Sequence, residues 1–503
     1  MAAVIETYDP RTNELIGTVP DMGPEEVATA IDRARGAFAW WSRLSFAERA
    51  EHLLAVRDRM LDRLDDIVDV IVRETGRPEA EVVASEILPS CELIAYYAKH
   101  GEEFLTDRKV APGMLLHKKA MIRYEPLGVV GVISPWNYPF ILAFSPVVTA
   151  LFAGNTVVLK PSEVTPLVGL EIGKLFDAAG VFPDIVGVVT GAGGTGEALV
   201  RGGVQKIAFT GSSRTGTRVM QAAAESLTPV LLELGGKDPM IVLDDADVER
   251  AASGAVWGSF FNNGQTCMAV ERVYVADAVY DEFVAKVTAK ATAVRQGHGG
   301  AIDIGSMTFP HQLDVVEDHV ADAVAKGANV VAGGQRTPGE TGLFYEPTVL
   351  VDVDHSMKIM TDETFGPVLP IMRVHSDDEA LKLANDSRYG LNSSVWTTSP
   401  ERADRFVAEI EAGNICVNDC IVNYAVASLP FGGVKQSGFG RAHGEQGLRE
   451  FTVQKAVLTD RGGLKREPTW YPTPRGSATV LSMVARLRYR RGVTNKLKSL
   501  IGR

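Results

Sequence analysis

The chain has 503 residues, 46% of them hydrophobic and 23% charged, enough for roughly two to four domains and too apolar for wholesale disorder. Counting 51 Lys+Arg against 63 Asp+Glu gives a net charge of −12, which excludes a general nucleic-acid binder. The four cysteines, Cys91, Cys267, Cys416 and Cys420, are too few for a disulfide framework. They show no metal-ligand spacing, so no metal and a reducing cytoplasm are expected.

The N-terminal MAAVIETYDPRTNELIG carries acids early and has no basic start before an apolar core, unlike a secretory signal. Gly23-Pro24 opens a helix, with Val27, Ala30, Ile31, Ala34, Phe38 and Trp41 at helical spacing. A second, longer amphipathic helix is expected from Leu53 through Met60, Leu64 and Ile67 to Ile71. Between Pro126 and Leu159 no residue is charged, which is long enough for a bilayer. Pro135, Pro139 and Pro146 interrupt it, and interior prolines break helices. The stretch therefore reads as buried strand, turn, helix, strand.

From about residue 120, β-branched runs (Gly128–Ser134, Thr156–Leu159, Ile185–Val189, Ile207–Thr210) alternate with helical patterns (Leu167–Ala179, Gly194–Arg201). A second alternating block runs from Met240 to about Thr398, with helices near Val248–Asn262 and Val279–Val294. Alternation of this kind predicts an α/β protein with two parallel-sheet lobes and a cleft between them. No internal repeat is evident.

Four segments carry groups suited to chemistry. Cys267 ends Asn-Asn-Gly-Gln-Thr-Cys, after a predicted helix, where backbone N–H groups could lower a thiol pKa. The bland alternative is an inert buried cysteine, the reading given to Cys91, Cys416 and Cys420. Glu233 closes an apolar run in Leu-Glu-Leu-Gly-Gly-Lys; it is either a solvated edge residue or a partly buried base. Phe-Thr-Gly-Ser-Ser-Arg-Thr-Gly (209–216) ends a strand and opens a helix, a place for a phosphate, although it is not GxGxxG. In Leu-Lys-Pro-Ser-Glu (159–163), Lys160 and Glu163 stand where open α/β sheets bind ligands, or form an exposed charged turn.

Together with Pro-Trp-Asn-Tyr-Pro (135–139), Glu-Thr-Phe-Gly-Pro-Val (363–368) and Pro-Phe-Gly-Gly-Val-Lys-Gln-Ser-Gly-Phe-Gly-Arg (430–441), these segments resemble the aldehyde dehydrogenase superfamily over about residues 5–460. The resemblance implies two Rossmann-like lobes and a small β oligomerisation arm. It places a cofactor domain at 1–117 and 132–233, a catalytic domain at 234–418, the arm at 118–131 and 419–463, and a basic tail at 464–503. It implies that Cys267 attacks an aldehyde, that Asn137 and the Cys267 N–H form the oxyanion hole, and that Glu233 activates the water that releases the acid. It implies cofactor contacts at Ile133, Pro135, Trp136, Lys160, Ser162, Glu163, Gly193, Gly211, Ser212, Gly216, Leu234, Glu363 and Phe365. The cofactor is expected to be NAD, with NADP as the alternative, because Glu163 beside a ribose repels a 2′-phosphate. The presence of Glu233 favours release of a free acid over acyl transfer to another acceptor.

A helix after Asn137 should present Tyr138, Ile141, Leu142 and Ser145 on one face, which by resemblance lines the aldehyde tunnel. That face has no cation, and semialdehyde-oxidising relatives often carry Arg where Ser145 stands. An aliphatic, terpenoid-like or aromatic aldehyde is expected, with a succinate-semialdehyde-type dehydrogenase as the alternative. A catalytically silent relative and an esterase-like thiol hydrolase are further rivals. The resemblance also implies a homodimer or homotetramer.

The last 36 residues hold eight Lys or Arg and no acid. Val480, Leu481, Val484, Leu487, Leu497, Leu500 and Ile501 are expected on one helical face, fit for peripheral membrane contact or for packing on an acidic subunit.

Overall fold

The protein was analysed as a computed structural model, which describes residues 3–492 apart from 182, 464 and 468. The described residues fall into two compact units, one drawn from Met1–Thr106 and Tyr124–Gln454, the other from Asp107–Arg123 and Lys455–Arg503.

The larger unit holds two Rossmann-like α/β lobes. In the first, six strands lie in the order Gly438–Phe439, Val230–Glu233, Lys206–Thr210, Val129–Ile133, Thr156–Lys160, Val186–Val188. All pair in parallel except Gly438–Phe439, which runs antiparallel to Val230–Glu233. The central strands are buried throughout, which is why they read as continuous β-branched runs. The second lobe has seven strands, from Asn329–Ala332 at one edge to Cys416–Val417 at the other, with Val270–Ala276 and Asp238–Val242 near the middle. A two-stranded ribbon, Val4–Tyr8 with Leu15–Pro20, completes this unit.

The charge-free stretch is interior, as its prolines suggest. Strand Val129–Ile133 leads to helix Ile141–Phe152, which contains Pro146, and then to strand Thr156–Lys160. Trp41 at the end of helix Pro24–Trp41 donates its Nε1–H to the Leu151 carbonyl at 2.9 Å, tying that helix to the core. Among the described residues no helix is long and apolar enough to cross a membrane.

Two expectations need correction. The long amphipathic helix is two, Phe46–Asp62 and Leu64–Thr75, separated at Arg63, whose φ of −111° and ψ of 22° leave the helical region. Its guanidinium bridges Glu171 at 2.8 Å instead of extending the surface of one helix. The arm boundaries also shift. Val129–Gly131 belong to a central strand of the six-stranded sheet, and Gly438–Phe439 cap that sheet's edge, so 129–131 and 419–454 sit in the larger unit.

A three-stranded sheet runs in the order Thr452–Asp460, Lys118–Pro126, Arg108–Val110. Within the smaller unit Lys118 pairs with Asp460 and Glu467. Its one described helix is Ser477–Tyr489, which buries no residue.

Candidate active site

Parallel pairing sets the site's edge. Ile133 pairs with Lys160 and with Phe209, and Thr210 with Glu233, so these strands end side by side. Ligands of open parallel sheets bind along such an edge. At one end, Ser212 caps helix Ser213–Ala224 by accepting from the Thr215 N–H at 3.2 Å, leaving other first-turn N–H groups for an anion.

Cys267 is held by an unusual turn. Helix Val248–Phe260 gives way to a short 3-10 turn in which Asn262, Asn263 and Gly264 all have positive φ (51°, 53° and 71°). A Cβ on Gly264 would lie 2.1 Å from the Gly366 carbonyl oxygen, so only glycine fits. The Asn137 side-chain amide donates to the Gln265 carbonyl at 2.9 Å, and Asn262 donates to the Asn137 carbonyl at 2.9 Å. The Tyr138 hydroxyl and the Thr266 hydroxyl are 2.6 Å apart. The loop after strand Val129–Ile133 is thereby bolted to the cysteine turn from the other lobe.

Electrostatics at the thiol differ from expectation. Burial, with the nearby carboxyls of Glu233, Asp238 and Glu363, pushes the Cys267 thiol well above its ordinary pKa. The backbone N–H opposes this but is outweighed by desolvation. Glu233 is also displaced upward, to about 8, because it is buried with only Arg441 as a compensating charge. Among the described residues its Oε1 has no hydrogen-bond partner. A buried carboxyl in this range is matched to proton transfer near neutral pH.

Two cavities meet at Cys267. The first, about 230 Å³, is walled by Asn137, Glu233 and Cys267 together with Pro135, Trp136, Gly211, Ser212, Leu234, Glu363 and Phe365. Here Trp136 and Phe365 meet edge-on at 5.4 Å, and Glu363 accepts from the Gly236 N–H at 3.0 Å. A Cβ on Gly235 would come within 2.2 Å of a Glu363 oxygen. The second cavity, about 490 Å³, is bounded chiefly by Tyr138, Ile141, Leu142, Trp257, Phe261, Met268 and Tyr424. It contains no Lys or Arg among its described lining residues.

The sequence profile described as "Aldehyde dehydrogenase family" matches residues 2–457. The chain belongs to this family. Membership makes it an oxidoreductase acting on an aldehyde group. It is 42% identical over 470 residues to a 4,4'-diapolycopene aldehyde oxidase of Methylomonas sp, covering 93% of this chain and 88% of that protein. A glutarate-semialdehyde dehydrogenase of Pseudomonas aeruginosa is 37% identical over 451 residues, covering 89% and 92%. Among solved structures, an aldehyde dehydrogenase of Mycobacterium tuberculosis complexed with NAD+ superposes with a TM-score of 0.88 at 35% identity, covering 92% of this chain and 96% of that one.

Several expected contact residues of this aldehyde dehydrogenase lie outside the first cavity but near the same edge. Lys160 Nζ is 2.9 Å from Glu163 Oε2, and Ser162 Oγ accepts from the Val164 N–H at 3.2 Å. Gly216 packs against Leu234, where a Cβ would come within 2.5 Å. Gly193 begins helix Gly193–Arg201, and Ile133 ends its strand. Ser145 is a correction: it does not line the apolar tunnel with Tyr138, Ile141 and Leu142. The helix turns it toward a cavity of about 20 Å³ beside Glu233, where its Oγ is 3.1 Å from His443 Nε2.

Sequence reasoning missed Arg77, which is fully buried. It pairs with Glu81 at 2.8 Å and with Glu86, bonds Ser85, and stacks 4.4 Å from the Tyr138 ring centroid. Glu86 in turn accepts from the Phe140 and Ile141 N–H groups at 2.7 and 3.1 Å. The Arg-x-x-x-Glu spacing was the available signal, but it is shared by many exposed helix pairs.

Proposed function

We propose that this enzyme oxidises an extended apolar aldehyde to its carboxylic acid with NAD(P), NAD being favoured. The observation that carries the reading is Cys267 at the junction of a cavity holding Asn137 and Glu233 with a large apolar one that has no Lys or Arg among its described lining residues. An aldehyde threaded through the apolar side meets the sulfur head-on. Loss of the thiol proton on attack is assisted by Glu233, a carboxyl in the same cavity that burial raises to about 8. The thiohemiacetal oxyanion is held by the Asn137 side-chain amide and the Cys267 N–H, worth about 10²–10³-fold for one such donor. Trp136, Glu363 and Phe365 would hold the nicotinamide end of NAD(P), which would supply the hydride acceptor. Pyrophosphate fits the N–H groups after Ser212, and an adenine ribose fits Lys160 and Glu163. These residues match the donor set such a group needs. Glu233 then deprotonates water for hydrolysis of the thioester.

The relative named for diapolycopene aldehyde supports a long, unsaturated substrate for this chain too. The semialdehyde alternative draws on the glutarate-semialdehyde relative. It is opposed by the tunnel: Arg77, whose guanidinium stacks on the tunnel residue Tyr138, is already committed to Glu81 and Glu86. We further propose a cytoplasmic homodimer or homotetramer, with the strands near 118–126 and 452–460 as the pairing arm. A panel of long-chain, aromatic and dicarboxylic aldehydes, assayed at the reduced-nicotinamide band with NAD and NADP in parallel, tests the reading. Preference for a short semialdehyde, or undiminished oxidation by Cys267→Ala, would overturn it.

A further inference from the structure

We propose that the C-terminal segment is a docking element for an anionic lipid surface. The net charge of −12 is two unlike parts, +8 on residues 468–503 and −20 on the rest. Within the described part, helix Ser477–Tyr489 buries none of its residues, and Val480, Leu481 and Met483 remain 56%, 53% and 41% exposed. At 100° per residue, Val480, Met483, Val484 and Leu487 occupy one arc, flanked by Leu481 on one side and Arg486 on the other. Arg488 borders the apolar arc, where a long stem can lie along the lipid while its head stays in water. Just before the helix, Trp470 and Tyr471 are 57% and 89% exposed. Amphipathic rings of this kind settle at the headgroup level.

Charge complementarity selects the occupant. With eight Lys or Arg and no acid from residue 468 onward, the segment is basic along its whole sequence, and an anionic headgroup layer offers it many partners at once. Each basic residue near such a surface strengthens binding by roughly fivefold. The −20 remainder is repelled by the same surface, so attachment is confined to the segment. Leu497, Leu500 and Ile501, expected on one helical face, lie outside the described residues, as do Lys496, Lys498 and Arg503. If the proposed apolar substrate class holds, docking would bring the enzyme to where such aldehydes partition. The docking itself does not rest on that reading.

The test is flotation of the full chain with vesicles of phosphatidylcholine alone or with 30% phosphatidylglycerol (roughly the range of anionic membranes) at low and high salt. Flotation is expected only with the anionic vesicles, falling at least about tenfold at high salt. Two variants, Arg486→Glu with Arg488→Glu, and Val480→Asp with Leu481→Asp, should each lose it. Both should oxidise a short water-soluble aldehyde like wild type, which shows that they fold and separates this test from substrate choice. Absence of flotation by the intact chain overturns the proposal. So does binding indifferent to salt and to both variants, or assembly with a second copy of the chain lost in the variants while vesicles are ignored.

Discussion

The side-chain amide of Asn137 donates to the Gln265 carbonyl at 2.9 Å, which places it two residues from Cys267 although 130 positions separate the two in sequence. One amide hydrogen is used in aiming the group, and the other is the one proposed to meet a developing oxyanion. Asn137→Ala should lower kcat by about 10²–10³-fold with little change in KM. Steady-state kinetics check this; a loss of less than threefold would remove Asn137 from the oxyanion role.

Glu233, raised to about 8 by burial, is mostly protonated at neutral pH. The turnover of wild-type enzyme should therefore climb between pH 6.5 and 9, with its midpoint near that value, and Glu233→Gln should be slow at every pH. Stability moves the opposite way. The folded state keeps a proton that the unfolded state releases above its ordinary carboxyl pKa, so stability falls as pH rises from about 5 to 8. Glu233→Gln should thus melt above wild type by a margin that widens over this window and then levels. Melting curves at several pH values read it out.

Trp257 and Phe261 stand 5.2 Å apart, centroid to centroid, on the wall of the apolar tunnel. Trp257→Ala should cut kcat/KM for a long apolar aldehyde by about tenfold, the order expected for loss of one large apolar contact. Oxidation of a two- or three-carbon aldehyde should hardly change. Equal losses for both substrates would place the long chain elsewhere.

Ser145 is buried against His443, whose own burial pushes its pKa down to about 4 and keeps it neutral. Ser145→Arg should consequently fail to create a semialdehyde dehydrogenase: the added cation would be driven into a filled core, not into the tunnel. Low soluble yield or a depressed melting temperature is expected. A soluble variant with new activity on succinate semialdehyde would show that the helix presents this position to substrate after all.

Breaking the Arg77 cluster should be costly. Arg77→Met leaves the buried Glu81 and Glu86 carboxyls without their cation, which removes about 3–5 kcal/mol. Denaturant titration checks the loss. Because Glu86 also anchors the Phe140 and Ile141 amides, activity should fall even where the variant stays folded.

Much of this was legible from one-dimensional pattern. Continuous β-branched runs broken by helical periodicity identify buried parallel strands, because a strand covered on both faces tolerates little else. Short motifs such as Leu-Glu-Leu-Gly-Gly-Lys and Gly-Gln-Thr-Cys mark candidate chemistry because glycines and a lone polar group at strand ends have few other uses. Charge counting alone separated the acidic body from the basic tail.

Other properties exist only once the chain is folded. Desolvation makes the Cys267 thiol a weaker acid than a free one, and carboxyls as remote in sequence as Glu363 add to the effect. The face that Ser145 takes was misjudged because helical spacing places a residue on a side of its own helix, not against a particular neighbour. The wall of the apolar tunnel joins residues 80–89, 257–268 and 421–425, and no local pattern brings these together. Sequence by itself determined which elements form and which groups can react, since those depend on spacing and side-chain type. The tertiary structure decided their protonation, their orientation and the space before them, since desolvation and cavity shape arise from contacts between distant segments.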